Sequence, residues 1–66
     1  MTLEAVLRLL QFSVWVVVKD KYNQIIISGY LSYLFAYGLL NEISQRKVYL
    51  VKPDEQIENT MQIYIL

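Results

Sequence analysis

The sequence predicts an α+β fold in a single domain over residues 1–66. Segments with helical hydrophobic spacing alternate with segments rich in β-branched and aromatic residues, and turn-forming residues separate the segments within each strand pair. The predicted order is a short N-terminal helix, a β-hairpin, a short helix and a second β-hairpin. We expect one four-stranded, mainly antiparallel sheet with the helices on one face.

The first predicted element is a short amphipathic helix over residues 2–11. Thr2 is a good N-cap, and the helix dipole favours an acid such as Glu4 in the first turn. Four apolar residues recur at helical spacing, namely Leu3, Val6, Leu7 and Leu10. This spacing gives the helix one face to bury.

The first hairpin follows in the segments FSVWVVVKD and QIIISGY. The first strand is predicted to place Phe12, Val14, Val16 and Val18 on one face, and Ser13, Trp15, Val17 and Lys19 on the other. The residues DKYNQ supply the turn, where Asn23 tolerates a left-handed conformation. In the second strand, Ser28 and Gly29 are predicted to form a bulge or a break.

The second helix is predicted from the segment SYLFAYGLLNEI, in which Leu31, Leu34, Phe35 and Leu39 follow helical spacing. Ser32 is a plausible N-cap, and Gly38 either permits the close approach of another backbone or marks an early end. The second hairpin comprises KVYLVK and TMQIYIL, joined by a polar connector that begins at Pro53.

The uncharged stretch Ile25 to Leu40 raises a second possibility, a single-span small membrane protein of holin-like or regulatory type. A 16-residue helix reaches only about 24 Å, against roughly 30 Å for the hydrocarbon core. Its tyrosines also lie in the middle, whereas those of spanning helices collect at the interfaces. We therefore expect a strand followed by a helix. Glu4, Arg8 and Gln11 interrupt the N-terminal apolar run, so we predict a cytoplasmic protein without a signal peptide.

No catalytic or metal signature is recognisable. The chain has no Cys and no His, and its Ser and Thr residues have no partner at a catalytic spacing. We expect no enzymatic activity, no cofactor and no metal. Six basic residues balance six acidic ones, so DNA or RNA is not an expected partner.

The most informative feature is the aromatic content, six tyrosines and one tryptophan in 66 residues. They either pack in the core with their hydroxyls at its rim, or form a recognition surface. Tyr30, Tyr33 and Tyr37 are spaced for one helix face, while Trp15, Tyr49 and Tyr64 can share a sheet face. Arg46 and Lys47 are the candidate phosphate contacts, or else belong to a solvated turn. The candidate binding residues are therefore Trp15, Tyr30, Tyr33, Tyr37, Arg46, Lys47, Tyr49 and Tyr64.

The sheet face away from the helices should be polar, yet the predicted strands give it an apolar and aromatic surface. Its predicted residues are Trp15, Val17, Tyr49, Val51 and Tyr64. A second copy of the chain is the simplest cover for such a face, so we predict a homo-oligomer, a dimer or higher. Edge-to-edge pairing of the C-terminal strand is an alternative route.

With the segments TLEAVLRLL, VWVVVKDKYNQIIISGY and RKVYLV…MQIYIL placed in this order, the chain resembles a group of tiny α-β-β-α-β-β proteins. These are accessory proteins of unassigned function from phages and mobile elements of Gram-positive bacteria. The resemblance is one of architecture, and it implies a non-enzymatic role in the host cytoplasm. Anti-defence is one such role, by occluding a host immune protein or sequestering a nucleotide-type immune signal. The neutral charge departs from strongly acidic inhibitors and argues against DNA mimicry.

Overall fold

The computed structural model describes all 66 residues and contains two short helices and four strands. These are α1 (Leu3–Leu7), β1 (Trp15–Lys19), β2 (Ile25–Tyr30), α2 (Leu31–Ala36), β3 (Val48–Pro53) and β4 (Thr60–Ile65). The predicted α+β class and the α-β-β-α-β-β order are confirmed. None of the helices has the length and apolar character needed to cross a membrane.

The four strands form one mixed sheet in the order β2-β1-β4-β3. Both hairpins are antiparallel, and the parallel pairing of β1 with β4 joins them. The C-terminal strand β4 therefore lies inside the sheet, hydrogen-bonded on both sides. The predicted alternative of edge-to-edge pairing through this strand is wrong, because the edges of the sheet are β2 and β3.

The core is built from alternate residues of the two central strands and from both helices. Val16 and Val18 of β1 and Ile63 and Ile65 of β4 are fully buried. One hydrophobic cluster joins these strand residues to helix residues, which are Leu3, Val6, Leu7, Leu31 and Leu34. The strict alternation along β1 is confirmed. The expectation that both helices lie on one face of the sheet stays a prediction.

Strand β3 alternates differently from the prediction. Its pairing register with β4 shifts between Val48 and Leu50, and Val51 pairs with Ile63. Directly opposed residues point to the same face, so Val51 lies on the face of the buried Ile63. Placing Val51 on the face of Trp15 was therefore wrong, because the irregularity at Tyr49 changes the alternation along this strand.

Helix α1 has the predicted N-cap but is shorter than predicted. The Thr2 hydroxyl accepts a hydrogen bond from the Ala5 N–H, at 3.3 Å. The helix ends at Leu7, and β1 begins only at Trp15. The segment between them turns, so Phe12 lies outside the strand and is 64% exposed, contrary to the prediction.

The uncharged stretch Ile25 to Leu40 divides at Tyr30. Strand β2 continues through Ser28 and Gly29, so no break occurs there, and the register shift lies opposite Val18 and Lys19 instead. A Cβ on Gly29 would lie 3.2 Å from the Leu34 Cδ2. Gly29 therefore allows the helix that follows to pack closely on its own strand.

Helix α2 begins immediately after β2, with Tyr30 rather than Ser32 at the N-cap position. It ends at Ala36, after fewer than two turns, and Gly38 adopts φ +62°. Glycine is favoured in this left-handed conformation, which commonly terminates helices. The prediction that Gly38 marks an early end is confirmed.

Candidate functional site

The open face is the sheet surface opposite to the buried Val16 and Val18. The pairing registers arrange its residues in three rows across the strands. The rows are Tyr30, Trp15 and Thr60; Ser28, Val17, Gln62 and Lys52; and Ile25, Lys19, Tyr64 and Leu50. Trp15 and Lys19 stand four residues apart on β1, which corresponds to about 13 Å. Trp15 and Tyr64 thus share this face, as predicted, but lie at opposite ends of it.

The aromatic groove lies at one end of the open face. Its floor includes Trp15 and Tyr30, whose ring centroids are 4.9 Å apart at an interplanar angle of 83°. This is the edge-to-face arrangement that aromatic pairs favour. Trp15 is 36% exposed and Tyr30 is 53% exposed. The groove has a volume of about 390 Å³, and its lining is Trp15, Val17, Tyr30, Asp54, Ile57, Glu58, Asn59 and Thr60.

The connector between β3 and β4 forms the wall of this groove, and Asp54 fixes its shape. One Asp54 oxygen accepts hydrogen bonds from the backbone N–H groups of Gln56 and Ile57, at 2.9 and 3.0 Å. The other accepts from the Gln62 side-chain amide, at 2.9 Å. The backbone bond from Gln56, followed by the Gln62 bond, holds the pKa of Asp54 below its usual value. The carboxylate is therefore ionised at neutral pH.

The charge of the aromatic groove is negative. Asp54 and Glu58 both line it, and no Lys or Arg does. Neither carboxylate forms an ion pair, because the chain's single salt bridge joins Arg8 to Glu4. The groove thus combines an exposed aromatic pair with two carboxylates that form no ion pair, of which Asp54 is already hydrogen-bonded within the connector and to Gln62.

The opposite end of the open face is basic, and its central ring is covered. Tyr64 is only 8% exposed. Lys19 and Lys52 place their Nζ atoms 5.7 and 5.6 Å from the centroid of this ring, within cation–π range. The Tyr49 ring lies 6.0 Å away, centroid to centroid. Two lysine side chains of the same chain therefore cover part of the face that a second copy was predicted to bury.

A polar network connects the two ends through Gln62. Its Oε1 accepts hydrogen bonds from the Tyr64 hydroxyl at 2.9 Å and from Lys19 Nζ at 3.4 Å. Its amide nitrogen donates to Asp54. These three bonds define the orientation of the amide, with its oxygen toward the basic end.

The predicted tyrosine face of the second helix is not formed as expected. Tyr33 and Tyr37 do lie together, with ring centroids 4.6 Å apart, and they are 55% and 67% exposed. Tyr30 belongs to β2 and packs on Trp15 instead. The prediction failed for Tyr30 because α2 begins only at Leu31.

Arg46 and Lys47 stand apart from the aromatic groove. The Arg46 Nε donates to the Leu66 carbonyl oxygen at 2.6 Å, and the Lys47 carbonyl accepts from the Leu66 N–H. Neither residue lines any of the four surface cavities. The lysines beside aromatic rings of the open face are Lys19 and Lys52. Alternation along β1 could have indicated Lys19, since it lies on the face of Trp15.

A second aromatic surface was missed in the sequence. Phe12 and Phe35 form an edge-to-face pair with centroids 5.9 Å apart. They are 64% and 39% exposed and border a cavity of about 330 Å³ with Leu7, Arg8 and Leu10. Hydrophobic spacing had placed Phe12 in a strand and Phe35 on the apolar side of a helix. Neither pattern shows that β1 begins only at Trp15, after Phe12, or that Phe35 stays partly exposed within the short helix α2.

No group of three or more acidic side chains is placed to hold a metal ion. Comparison of the chain with protein-family models, with curated proteins and with solved structures finds no match. The inference of function therefore rests on the open face and its neighbours.

Proposed function

We propose that this protein is a small, non-catalytic, self-associating binding protein that captures a protein partner in fixed stoichiometry through the aromatic groove. The observation that supports this is the exposed Trp15–Tyr30 pair in a groove of about 390 Å³. Trp and Tyr dominate binding hot spots because they bury a large area and lose little conformational entropy. Trp15 and Tyr30 already restrict each other's side chains before a partner binds, so binding costs less conformational entropy.

The charge of the groove favours a protein over a nucleotide. Asp54 and Glu58 would repel a phosphate placed on the Trp15–Tyr30 pair, and no Lys or Arg lines the groove to offset them. A protein surface that presents Lys or Arg beside apolar side chains is complementary to it. We therefore propose a partner with a basic contact surface.

The biological setting follows from the resemblance to phage and mobile-element accessory proteins. Within that setting, the partner is a host immune protein whose working surface the bound protein occludes. Stoichiometric occlusion requires affinity and not turnover, which suits a chain without a recognisable nucleophile and base.

A nucleotide-type immune signal is the second candidate, and one observation favours it. At the basic end of the open face, Lys19 and Lys52 lie beside Tyr64, and the neighbouring Tyr49 ring is 48% exposed. Lysines can contact phosphates while an exposed ring stacks on a base. A thermal-shift screen with cyclic nucleotides and NAD-derived signals tests this candidate. Stabilisation that Lys52→Gln abolishes supports it, and an unchanged melting temperature across the panel contradicts it.

The test of protein capture compares two exposed aromatic residues. Trp15→Thr removes the larger ring of the groove and keeps a strand-forming residue. Tyr22→Thr removes a ring that is 71% exposed and lies in the turn between β1 and β2, outside the groove. The wild type and both variants are immobilised and used to retain host proteins. The retained protein is then purified, and its binding to each of the three is titrated by calorimetry.

We expect a defined molar ratio for the wild type and for Tyr22→Thr. Trp15→Thr should bind at least about 30-fold more weakly, which corresponds to the roughly 2 kcal/mol of a hot-spot residue. Circular dichroism verifies that both variants are folded. If the wild type and a folded Trp15→Thr bound the same partner with equal affinity, the aromatic groove would not be the binding surface.

A further inference from the structure

The two edges of the sheet are protected very differently. The outer edge of β3 carries Lys52 and Pro53, and its register is irregular between Val48 and Leu50. The N-terminal segment also occupies this edge, since the Val48 N–H donates to the Met1 carbonyl oxygen at 2.8 Å. Charge, proline and irregular pairing are the devices by which proteins prevent unwanted strand addition. Strand β3 is therefore closed to a further strand.

The outer edge of β2 lacks two of these devices, charge and proline, and its own pairing irregularity lies near its start, at Ile26. Between Lys21 and Glu42 the chain carries no charged residue, and β2 contains no proline. Strand β1 is its single hydrogen-bonded neighbour in the sheet. Ile25 is 62% exposed and Ile26 is 39% exposed. A neutral edge with exposed isoleucines is a surface to which another strand can add.

The hydrogen-bond pattern identifies which backbone groups of β2 are free. The Leu31 N–H donates to the Val14 carbonyl oxygen at 2.9 Å, in register with the pairs Val16↔Gly29 and Trp15↔Tyr30. Antiparallel pairs alternate between bonded and non-bonded, so Gly29 bonds to β1. The backbone N–H groups of Ser28 and Tyr30 consequently point away from β1, toward the open edge.

We propose that a second copy of the chain occupies this edge, with the two β2 strands antiparallel about a two-fold axis at Ser28. This proposal specifies the surface of the self-association proposed above and rests on it. A two-fold axis places a strand against itself, and the neutral β2 meets its copy without like charges. Ser28 is the outward-pointing residue nearest the middle of the strand, so this register gives the longest overlap.

The paired strands would make one continuous eight-stranded sheet from two copies. Only 14 of 66 residues are buried in the single chain, which is a small core. Pairing adds burial of Ile25 and Ile26, which a chain of this size needs. A two-fold axis perpendicular to the sheet keeps both open faces on the same side. The assembled protein thus presents two aromatic grooves to one partner surface.

The first experiment uses charge at the edge and measures association by sedimentation equilibrium. In the proposed register Ile26 lies opposite Tyr30 of the other copy, so Ile26→Lys places a cation at each end of the junction, where charge on an edge strand disfavours strand addition. Leu9→Lys introduces the same charge at a residue that is 75% exposed just after α1, outside both the sheet and the aromatic groove. We expect the wild type and Leu9→Lys to be dimers, and the dimer dissociation constant of Ile26→Lys to rise at least tenfold. Circular dichroism shows whether each variant keeps the fold.

The second experiment tests the register without destabilising the chain. The protein has no Cys, so Ser28→Cys introduces a unique thiol. Directly opposed residues of a bonded antiparallel pair have Cα atoms about 5.5 Å apart, within the roughly 4.4–6.8 Å of disulfides. We expect Ser28→Cys to form a disulfide dimer in oxidised glutathione. The control Ser13→Cys, exposed and outside the sheet, should stay monomeric on denaturing gels.

The results separate this inference from the rest of the proposed function. A dimer that Ile26→Lys leaves intact and Ser28→Cys does not cross-link overturns pairing through β2, while self-association stands. A monomeric wild type overturns both. Neither outcome affects partner capture, which the comparison of Trp15→Thr with Tyr22→Thr tests separately.

Discussion

Replacing Ile63 by Ala tests the central position of β4, on which the arrangement of the open face depends. Ile63 is fully buried and lies between Val18 of β1 and Val51 of β3. The substitution removes three carbon atoms, worth about 2.4 kcal/mol at roughly 0.8 kcal/mol each. The cavity that remains adds to this cost, so we expect a loss of about 3–4 kcal/mol in the free energy of unfolding. A chain of this size has a total of only about 3–10 kcal/mol.

The matched control is Val51→Ala, because Val51 lies directly opposite Ile63 on the same face but is 38% exposed at the sheet edge. It removes two carbon atoms from a partly buried site, which should cost about 1 kcal/mol. Urea unfolding at one fixed protein concentration, followed by the fluorescence of the single Trp15, measures both values. If Ile63→Ala costs no more than Val51→Ala, the assignment of β4 to the interior of the sheet is wrong.

Three further substitutions test local features. Gly38→Ala should lower the free energy of unfolding by about 1–2 kcal/mol, because φ +62° is strained for a residue with a Cβ; an unchanged urea midpoint would contradict this. Gly29→Val should cost about 1–3 kcal/mol through collision with Leu34, and adding Leu34→Ala should show a non-additive effect in a double-mutant cycle; strict additivity would exclude the contact. Asp54→Asn should be less stable than the wild type at neutral pH. Because the pKa of Asp54 is lowered on folding, its stabilisation is present above the unfolded pKa and is lost as pH falls through the folded value. The difference in melting temperature between the wild type and Asp54→Asn should therefore disappear below about pH 4. A difference that stays constant with pH would show that the carboxylate charge is not its source.

Local pattern was sufficient for the type and order of the elements, but not for their bounds, and for much of the core. Val16 and Val18 were assigned correctly because period-two alternation requires no knowledge of the partner strand. Thr2 and Gly38 were also recognisable. The Thr2 side chain caps the start of α1, and the left-handed backbone of Gly38 follows the end of α2. These features depend on residues within a few positions along the chain.

Features set by pairing between distant segments could not be read in the same way. The side of β3 on which Val51 lies depends on a register irregularity that hydrophobicity does not encode. The pairing of Tyr30 with Trp15 depends on the residue at which α2 begins. For the candidate site, the aromatic residues were identifiable from composition, whereas the carboxylates of the groove were not. Asp54 and Glu58 reach it only because the connector folds back toward the open face.

The parallel contact between β1 and β4 also has a consequence for the order of folding. Trp15 pairs with Tyr30 within the first hairpin, but it pairs with Thr60, 45 positions away, across the parallel contact. Closing a long loop costs more entropy than closing a short one, and nonlocal pairing is slow. We therefore expect each hairpin to sample its structure quickly and the docking of one hairpin on the other to limit the folding rate. Substitutions at Val18 or Ile63 should slow folding, whereas those on the outer edge of β2 should leave that rate unchanged.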